Sequence, residues 1–263
     1  DYNTFKASYN ATNADKRDNL KPANCEHLYA VGGNAEMIRS FSLVVDNALP
    51  MNVIKEGYIF QGWTDGNNIY SAITAAELSG KTLKPAFIAK VAIEVTPETF
   101  AEKLAAATPG TILKLAAGTY AGAEFNVEYV TIQGPNAGIA GTAERAEEAV
   151  FTGLININAN NVTIDGVKCI EAADIKVGAN FTTITNIIMA PAKTVACNGN
   201  NRQGCIVDSK NITDLTVSNS YINVPGSSNS YAYQFMSFSH VTNLTITGNY
   251  ITNPSQKTIS SSY

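Results

Sequence analysis

From Val130 onward the chain repeats one short word: an apolar residue, a threonine, an apolar residue, a variable residue, then glycine or asparagine. The five copies are Val130-Thr131-Ile132-Gln133-Gly134, Val162-Thr163-Ile164-Asp165-Gly166, Thr182-Thr183-Ile184-Thr185-Asn186, Leu215-Thr216-Val217-Ser218-Asn219 and Leu244-Thr245-Ile246-Thr247-Gly248. In the third copy Thr182 takes the first apolar place. Side chains alternate across a strand, so the apolar residues of each copy face one way and the central threonine and variable residue the other. The closing glycine or asparagine suits a corner at positive φ. The central threonines lie 32, 20, 33 and 29 positions apart, an interval that fits one turn of a wide coil with loops of variable length. Stacked turns place like residues ~4.8 Å apart. Ile132, Ile164, Ile184, Val217 and Ile246 are then expected to form one inner column. A leucine-rich solenoid would need an L-x-x-L-x-L spacing, which is absent. An up-and-down sandwich has no need of the same word at turn-length intervals.

Upstream of the first copy, VTPETFAEKLAAATPGTILKLAAGTY predicts a short helix running into a strand. Thr96 before Pro97 reads as an N-cap with proline at the first helical position. Phe100, Leu104 and Ala105 or Ala107 supply an apolar face at helical spacing. Pro109-Gly110 stops the helix, and the strand Thr111–Leu115 follows before a turn at Ala117-Gly118. This stretch resembles the N-terminal cap and first strand of pectate-lyase-like right-handed parallel β-helices. Such a cap covers the open edge and open core end of the first coil. The stretch Gly134-Pro135-Asn136-Ala137-Gly138-Ile139-Ala140-Gly141, ahead of the Val162–Gly166 copy, is similar to a G-x-N-A-G-I-x-G stretch of β-helix proteins from bacteria and phages. That resemblance covers about 130–170 and implies the fold more than an activity. Residues 142–148 read as a surface loop or helical turn.

Residues 24–92 alternate apolar runs with turn signals, and FSLVV, GYIF and TLKPAFIA have strand character. Gly57, Tyr58, Phe60, Gly62 and Trp63, followed by Tyr70 and a closing strand over Lys81–Phe87, resemble the Listeria–Bacteroides repeat, a small β-grasp-like module of surface proteins. Trp63 is either a sugar-stacking platform or the packing centre of the module. Residues 1–23 are polar and weakly patterned, as in an arm or linker. The expected architecture is therefore all-β: an arm over 1–23, a β-grasp-like module over 24–92, and a right-handed parallel β-helix with a capping helix over 93–263. The absence of Met at position 1 reads as a removed leader or a fragment. The stop soon after the fifth copy reads as a C-terminally incomplete helix.

Charged residues make up only 15% of the chain, against about 25% on average, and asparagine, threonine and serine fill the gap. That suits a β-rich exterior protein. A net charge of -4 provides no field for nucleic acid or an anionic membrane. No apolar run reaches the ~18 residues of a membrane span. The four cysteines form no C-x-x-C, which argues against zinc. Cys197 and Cys205, in ACNGNNRQGC, are either bridged across a short loop in an oxidising compartment or free. Cys169, in VKCI, reads as a small buried residue.

Catalytic chemistry is hard to find in this pattern. A glycoside hydrolase needs two carboxyl groups ~5–10 Å apart. The outward column Gln133, Asp165, Thr185, Ser218 and Thr247 holds a single acid, Asp165, which reads either as a catalytic or ligand-binding acid or as a corner cap bonded to backbone amides. Lys176, Lys193, Arg202 and Lys210 are the cations a uronate lyase would draw on, but the acids have no calcium-loop spacing. His27 and His240 have no recognisable nucleophile beside them. No cofactor or metal is expected, and no catalytic residue is assigned. Aromatics concentrate near the C-terminal copies, at Tyr221, Tyr231, Tyr233, Phe235, Phe238 and Tyr250. Facing outward they form a sugar platform; facing inward they form core. The candidate ligand-binding residues are Tyr221, Tyr231, Tyr233, Asp165 and Arg202. Outward T-x-T pairs on the last three copies also resemble those of ice-binding β-helices, although the irregular coil lengths and Asp165 break the pattern. The function expected is attachment, glycan binding or fibre structure at a bacterial cell surface, outside the cell or on a virion. The partners expected are a polysaccharide or surface glycan and neighbouring surface or virion proteins. A polysaccharide lyase or glycoside hydrolase of pectate-lyase-like fold is the rival reading.

Overall fold

The computed structural model describes residues 47–48, 53–70, 72–73, 82–191, 195–196, 203–208, 210–223, 234–238, 241–252 and 259–261. The expected arm, the FSLVV strand, His27, His240, Lys193, Arg202, Cys197, Tyr231 and Tyr233 lie outside the described residues. The chain is mostly β and divides into two compact units, residues 1–90 and 91–263. No helix among the described residues is long and apolar enough to cross a membrane.

In the first unit Tyr58–Thr64 is the central strand of an antiparallel sheet, flanked by Ile69–Tyr70 and Lys84–Ala89. The closing strand thus runs two residues beyond the expected Phe87. A separate short antiparallel pair joins Asn47–Ala48 to Ala72–Ile73. Trp63 is 0% exposed. Phe60 meets it edge-on with ring centroids 5.7 Å apart, and Phe60 also packs on Phe87. The large apolar ring is worth most when fully removed from water. Trp63 is therefore the packing centre of this sheet, and its alternative as an exposed platform is excluded.

The second unit is built of three sheets with parallel pairing. Sheet I takes, in spatial order, Val91–Val95, Thr111–Leu115, Thr131–Gln133, Thr163–Asp165, Thr182–Thr185, Ile212–Ser218 and Val241–Thr247. Sheet II takes Gly118–Tyr120, Ala149–Phe151, Lys168–Glu171, Ile188–Pro191, Tyr221–Asn223 and Tyr250–Thr252. Sheet III takes Ala123–Phe125, Ile155–Ile157, Ile175–Val177, Gln203–Asp208, Gln234–Phe238 and Ile259–Ser261. Val195–Ala196 pairs antiparallel on the side of Gln203–Asp208. From Thr111 the chain visits sheets I, II and III in that order six times. Each visit adds one strand beside its predecessor.

The five repeat words stack in the expected register. Thr131 pairs with Thr163, Thr163 with Thr183, Thr183 with Thr216, and Thr216 with Thr245. Ile132, Ile164, Ile184 and Val217 are fully buried, and Ile246 at the end of the column is half-buried. They join the inward residues of sheets II and III in one core cluster. Thr182 fits the neighbouring inward column of Val130, Val162, Leu215 and Leu244 because its hydroxyl donates to the Ala179 carbonyl at 3.1 Å, so its buried hydroxyl is not left unpaired. Four of the five corners that close the repeat words sit at positive φ, Gly166 at 71°, Asn186 at 54°, Asn219 at 50° and Gly248 at 64°, whereas the first, Gly134, does not. The amides of Gly134, Gly166, Asn186 and Asn219 each donate to the end of the next strand, as from Gly166 N to Thr185 O at 3.2 Å. Two residues before each central threonine, Tyr129, Asn161, Phe181, Asp214 and Asn243 form a second left-handed ladder, with φ between 56° and 60°.

Helix α1 (Phe100–Ala105) begins later than the Thr96-Pro97 signal predicts. Thr96–Thr99 form a turn instead, in which the Thr96 amide donates to Thr99 Oγ1 at 3.0 Å and the Thr99 amide to Thr96 O at 3.1 Å. The turn is closed by an i→i+3 bond, and the first α-type bond runs from the Lys103 amide to Thr99 O at 2.9 Å. Phe100 is buried and closes the first layer, edge-on to Tyr120 and Phe151 at 5.3 and 5.6 Å.

Candidate functional site

The corner after sheet I leads in two residues to the first outward position of sheet II. Gly166 is followed by Lys168, Asn186 by Ile188, Asn219 by Tyr221, and Gly248 by Tyr250. The sheet register sets these four side chains in one column, Lys168 beside Ile188, Ile188 beside Tyr221, and Tyr221 beside Tyr250. Alternation puts Cys169, Met189 and Ile222 on the inner side of the same strands, where all three are buried. The outer column therefore faces away from the core.

Tyr221 and Tyr250 stack with ring centroids 5.9 Å apart and planes only 14° from parallel. Tyr250 is 57% exposed, and Tyr221 and Lys168 are half-buried. Thr252 Oγ1 lies 3.3 Å from the Tyr221 hydroxyl and 3.2 Å from Asn223 Oδ1, giving the aromatic pair a polar rim. Among the described residues Lys168 Nζ takes no ion pair, so its charge is available to a ligand. Together with Ala190, Gly141 and Thr142 these residues line a shallow groove of about 610 Å³.

One wall of the groove comes from a strap, residues 134–148, that leaves sheet I after the first repeat word and returns to sheet II at Ala149. It does not stay beside its own layer. Its path crosses the corners of the next three: the Gly138 amide donates to Asp165 Oδ1 at 3.0 Å, Arg145 Nη1 donates to Asn186 O at 2.6 Å, and the Gly141 amide donates to Asn219 O at 2.8 Å. Three rungs at ~4.8 Å make that reach about 14 Å. Glycine is required at 141, because a Cβ there would overlap Ile187 O and the Tyr221 amide nitrogen. Asn136, fully buried, closes the base of the strap by accepting from the Ala146 amide at 2.8 Å and donating toward Ala146 O and Glu147 O.

Of the residues marked from the sequence, Tyr221 lies in the groove. Asp165 does not. Its Oδ1 accepts from the Gly138 amide and from Asn186 Nδ2 at 2.7 Å, so it caps a corner and anchors the strap. Its neighbours in the outward column are Gln133 and Thr185, not acids. Tyr231, Tyr233 and Arg202 are not among the described residues. Cys197 lies outside the described residues, and Cys205 is a free thiol buried in the core. Burial, with Asp174 and Cys169 nearby, pushes its pKa up. Cys169 is likewise buried and pushed up to about 12, first by burial and then by Asp174. Such thiols stay protonated and unreactive. No group of three or more metal-ligating side chains occurs among the described residues.

Lys168, Gly141 and Thr142 were not singled out from sequence, and Tyr250 only as part of the aromatic stretch. A signal for four of the groove residues was present: Lys168, Ile188, Tyr221 and Tyr250 share one offset from the corner residue of their repeat word. The strap had no such signal, because its contacts are tertiary. No protein-family model, curated protein or solved structure matches the chain.

Proposed function

We propose that residues 93–263 are a right-handed parallel β-helix of an extracellular protein, borne on a cell surface or a virion, and that the sheet II groove binds a glycan. Residues 24–92 are read, in the same proposal, as a β-grasp-like module of the Listeria–Bacteroides type. The observation that carries the binding reading is the Tyr221–Tyr250 pair, near-parallel and half open to water, in line with Lys168. Exposed near-parallel aromatic faces suit the apolar faces of sugar rings, and the flanking Thr252 and Asn223 suit their hydroxyls. The direction of the column favours a saccharide chain lying along the stack of layers, across the strands. No acid lines the groove, and hydrolysis needs a pair of them, so binding is favoured over cleavage at this place.

The test is a glycan array probed with the fluorescently tagged full chain, followed by titration of the best-bound oligosaccharide. Tyr250→Ala should weaken binding about tenfold, the usual loss for one anchor residue. It should leave thermal unfolding within a few degrees of the parent, since Tyr250 is mostly exposed. Absence of any array signal, or equal affinity in Tyr250→Ala, refutes the assignment.

A further inference from the structure

We infer that Arg145 is a positioning residue for the groove: it holds the strap in place, and with it the Gly141–Thr142 wall beside Tyr221. The inference rests on the binding reading for its purpose, but its geometry stands apart from any ligand. A strap of 15 residues made of turns has no core of its own, so its shape depends on what ties it down. Asn136 ties the base and Asp165 ties the outgoing limb at Gly138. Arg145 alone, among the described residues, joins three bodies. Its Nε and Nη2 donate to Glu148 Oε1 and Oε2 at 2.8 and 3.0 Å in a two-pronged pair. Its Nη1 donates to Ile139 O in the outgoing limb at 3.0 Å and to Asn186 O in the sheet corner at 2.6 Å.

The guanidinium side chain is only 4% exposed and that of Glu148 14%. Both limbs of the strap are thereby clamped to the fourth layer, one layer short of the tip. The tip itself is anchored to the sheet by the backbone bond from the Gly141 amide to Asn219 O. Loss of the clamp leaves Gly141 and Thr142 free to lift from Ile187 and Tyr221. The planar fork is the feature that serves here: a lysine carries the charge but cannot reach Glu148, Ile139 and Asn186 at once.

Hydrogen–deuterium exchange of the full chain tests this without any ligand. In Arg145→Ala, exchange in a peptide covering 138–144 should rise at least tenfold, equivalent to about 1.4 kcal/mol of lost protection. Peptides covering Thr163–Asp165 and Thr182–Thr185 should keep the parent's protection. Because removal of one partner of a buried pair can unfold a protein, Arg145→Lys is examined alongside. It keeps the charge, loses the fork, and should show the same local rise. Unchanged exchange in 138–144 in a folded variant overturns the inference, as does a rise that is uniform along the chain.

The glycan arm is separate. Given a parent titration on the array's best oligosaccharide, Arg145→Lys should lose affinity in step with strap release. Released strap with full affinity overturns the wall's role. A parent that binds no glycan sinks the ligand reading, while the exchange data still decide the clamp.

Discussion

Replacing Gly166 by alanine separates two costs that usually arrive together. Gly166 has φ +71°, and a Cβ built on it would lie inside the contact radii of Ala137 N and Asn136 C and 2.5 Å from Ala137 Cα. These are backbone atoms of the strap, which no rotamer change can move away. Gly138, in the strap, has nearly the same φ at +78°, yet a Cβ there meets nothing within 4 Å. Gly138→Ala therefore reports the left-handed conformation alone, about 1 kcal/mol. Gly166→Ala carries that term plus overpacking against a fixed backbone, about 1–3 kcal/mol. The expected total is about 2–4 kcal/mol, and the difference between the variants is the clash. Urea unfolding at pH 7, followed by circular dichroism, measures both, provided that the slope is unchanged between variants. By heat, Gly138→Ala should lower Tm by about 2–4 °C in a unit of this size, and Gly166→Ala by several times more. Equal losses in the two variants would show that the strap does not press on the Gly166 corner.

Three further outcomes are expected. Ile164→Ala, at the fully buried middle of the inner column, should cost about 2–5 kcal/mol in urea unfolding. Ile246→Ala, half-buried at its end, should cost clearly less, and equal costs would contradict a column that is dry only in the middle. Raising pH should destabilise the fold from about pH 9 upward: Cys169 is pushed from 9.0 to about 12 and Tyr120 from 10.0 to about 12, both first by burial. The folded state holds these protons more tightly than the unfolded one, so their contribution is complete below the ordinary values and is lost as pH rises through the raised ones. The urea midpoint should fall between pH 9 and 11, and Cys169→Ala should flatten that fall; a steeper fall in the variant contradicts the assignment. Asp165→Asn should leave any glycan affinity near that of the parent, because Asp165 caps a corner outside the groove and asparagine keeps the Oδ1 acceptor for the Gly138 amide and Asn186 Nδ2; a tenfold loss in titration with unchanged exchange in 138–144 would return it to the ligand site.

What was legible in the sequence is what repeats. The register of the five words, the buried column from Ile132 to Val217, and the corner at Asn186 or Gly166 follow from alternation and from the φ preference of the corner residue. The strand Thr111–Leu115 was readable for the same reason. The start of α1 was not, because the Thr96-Pro97 signal marks where the chain turns and carries no information on whether the first bond is i→i+3, as here, or i→i+4. The strap was least legible. Residues 142–148 read as a surface loop or helical turn, and the burial of Arg145 appears only once Asn186 and Ile139 bring their carbonyls to it. Asp165 shows how a single outward acid can look like a reactive group and yet be consumed by a backbone amide and Asn186.

The reach of the strap also bears on how the second unit comes apart. A linear stack whose members touch only their immediate neighbours can lose its last member without disturbing the rest, so unfolding creeps inward from the ends. Here a segment that belongs to the second layer is hooked onto Asn219 in the fifth. Peeling the distal layers as far as that residue would unlatch a proximal one, so the layers between them should open as a single block, and terminal fraying should stop where the hook begins.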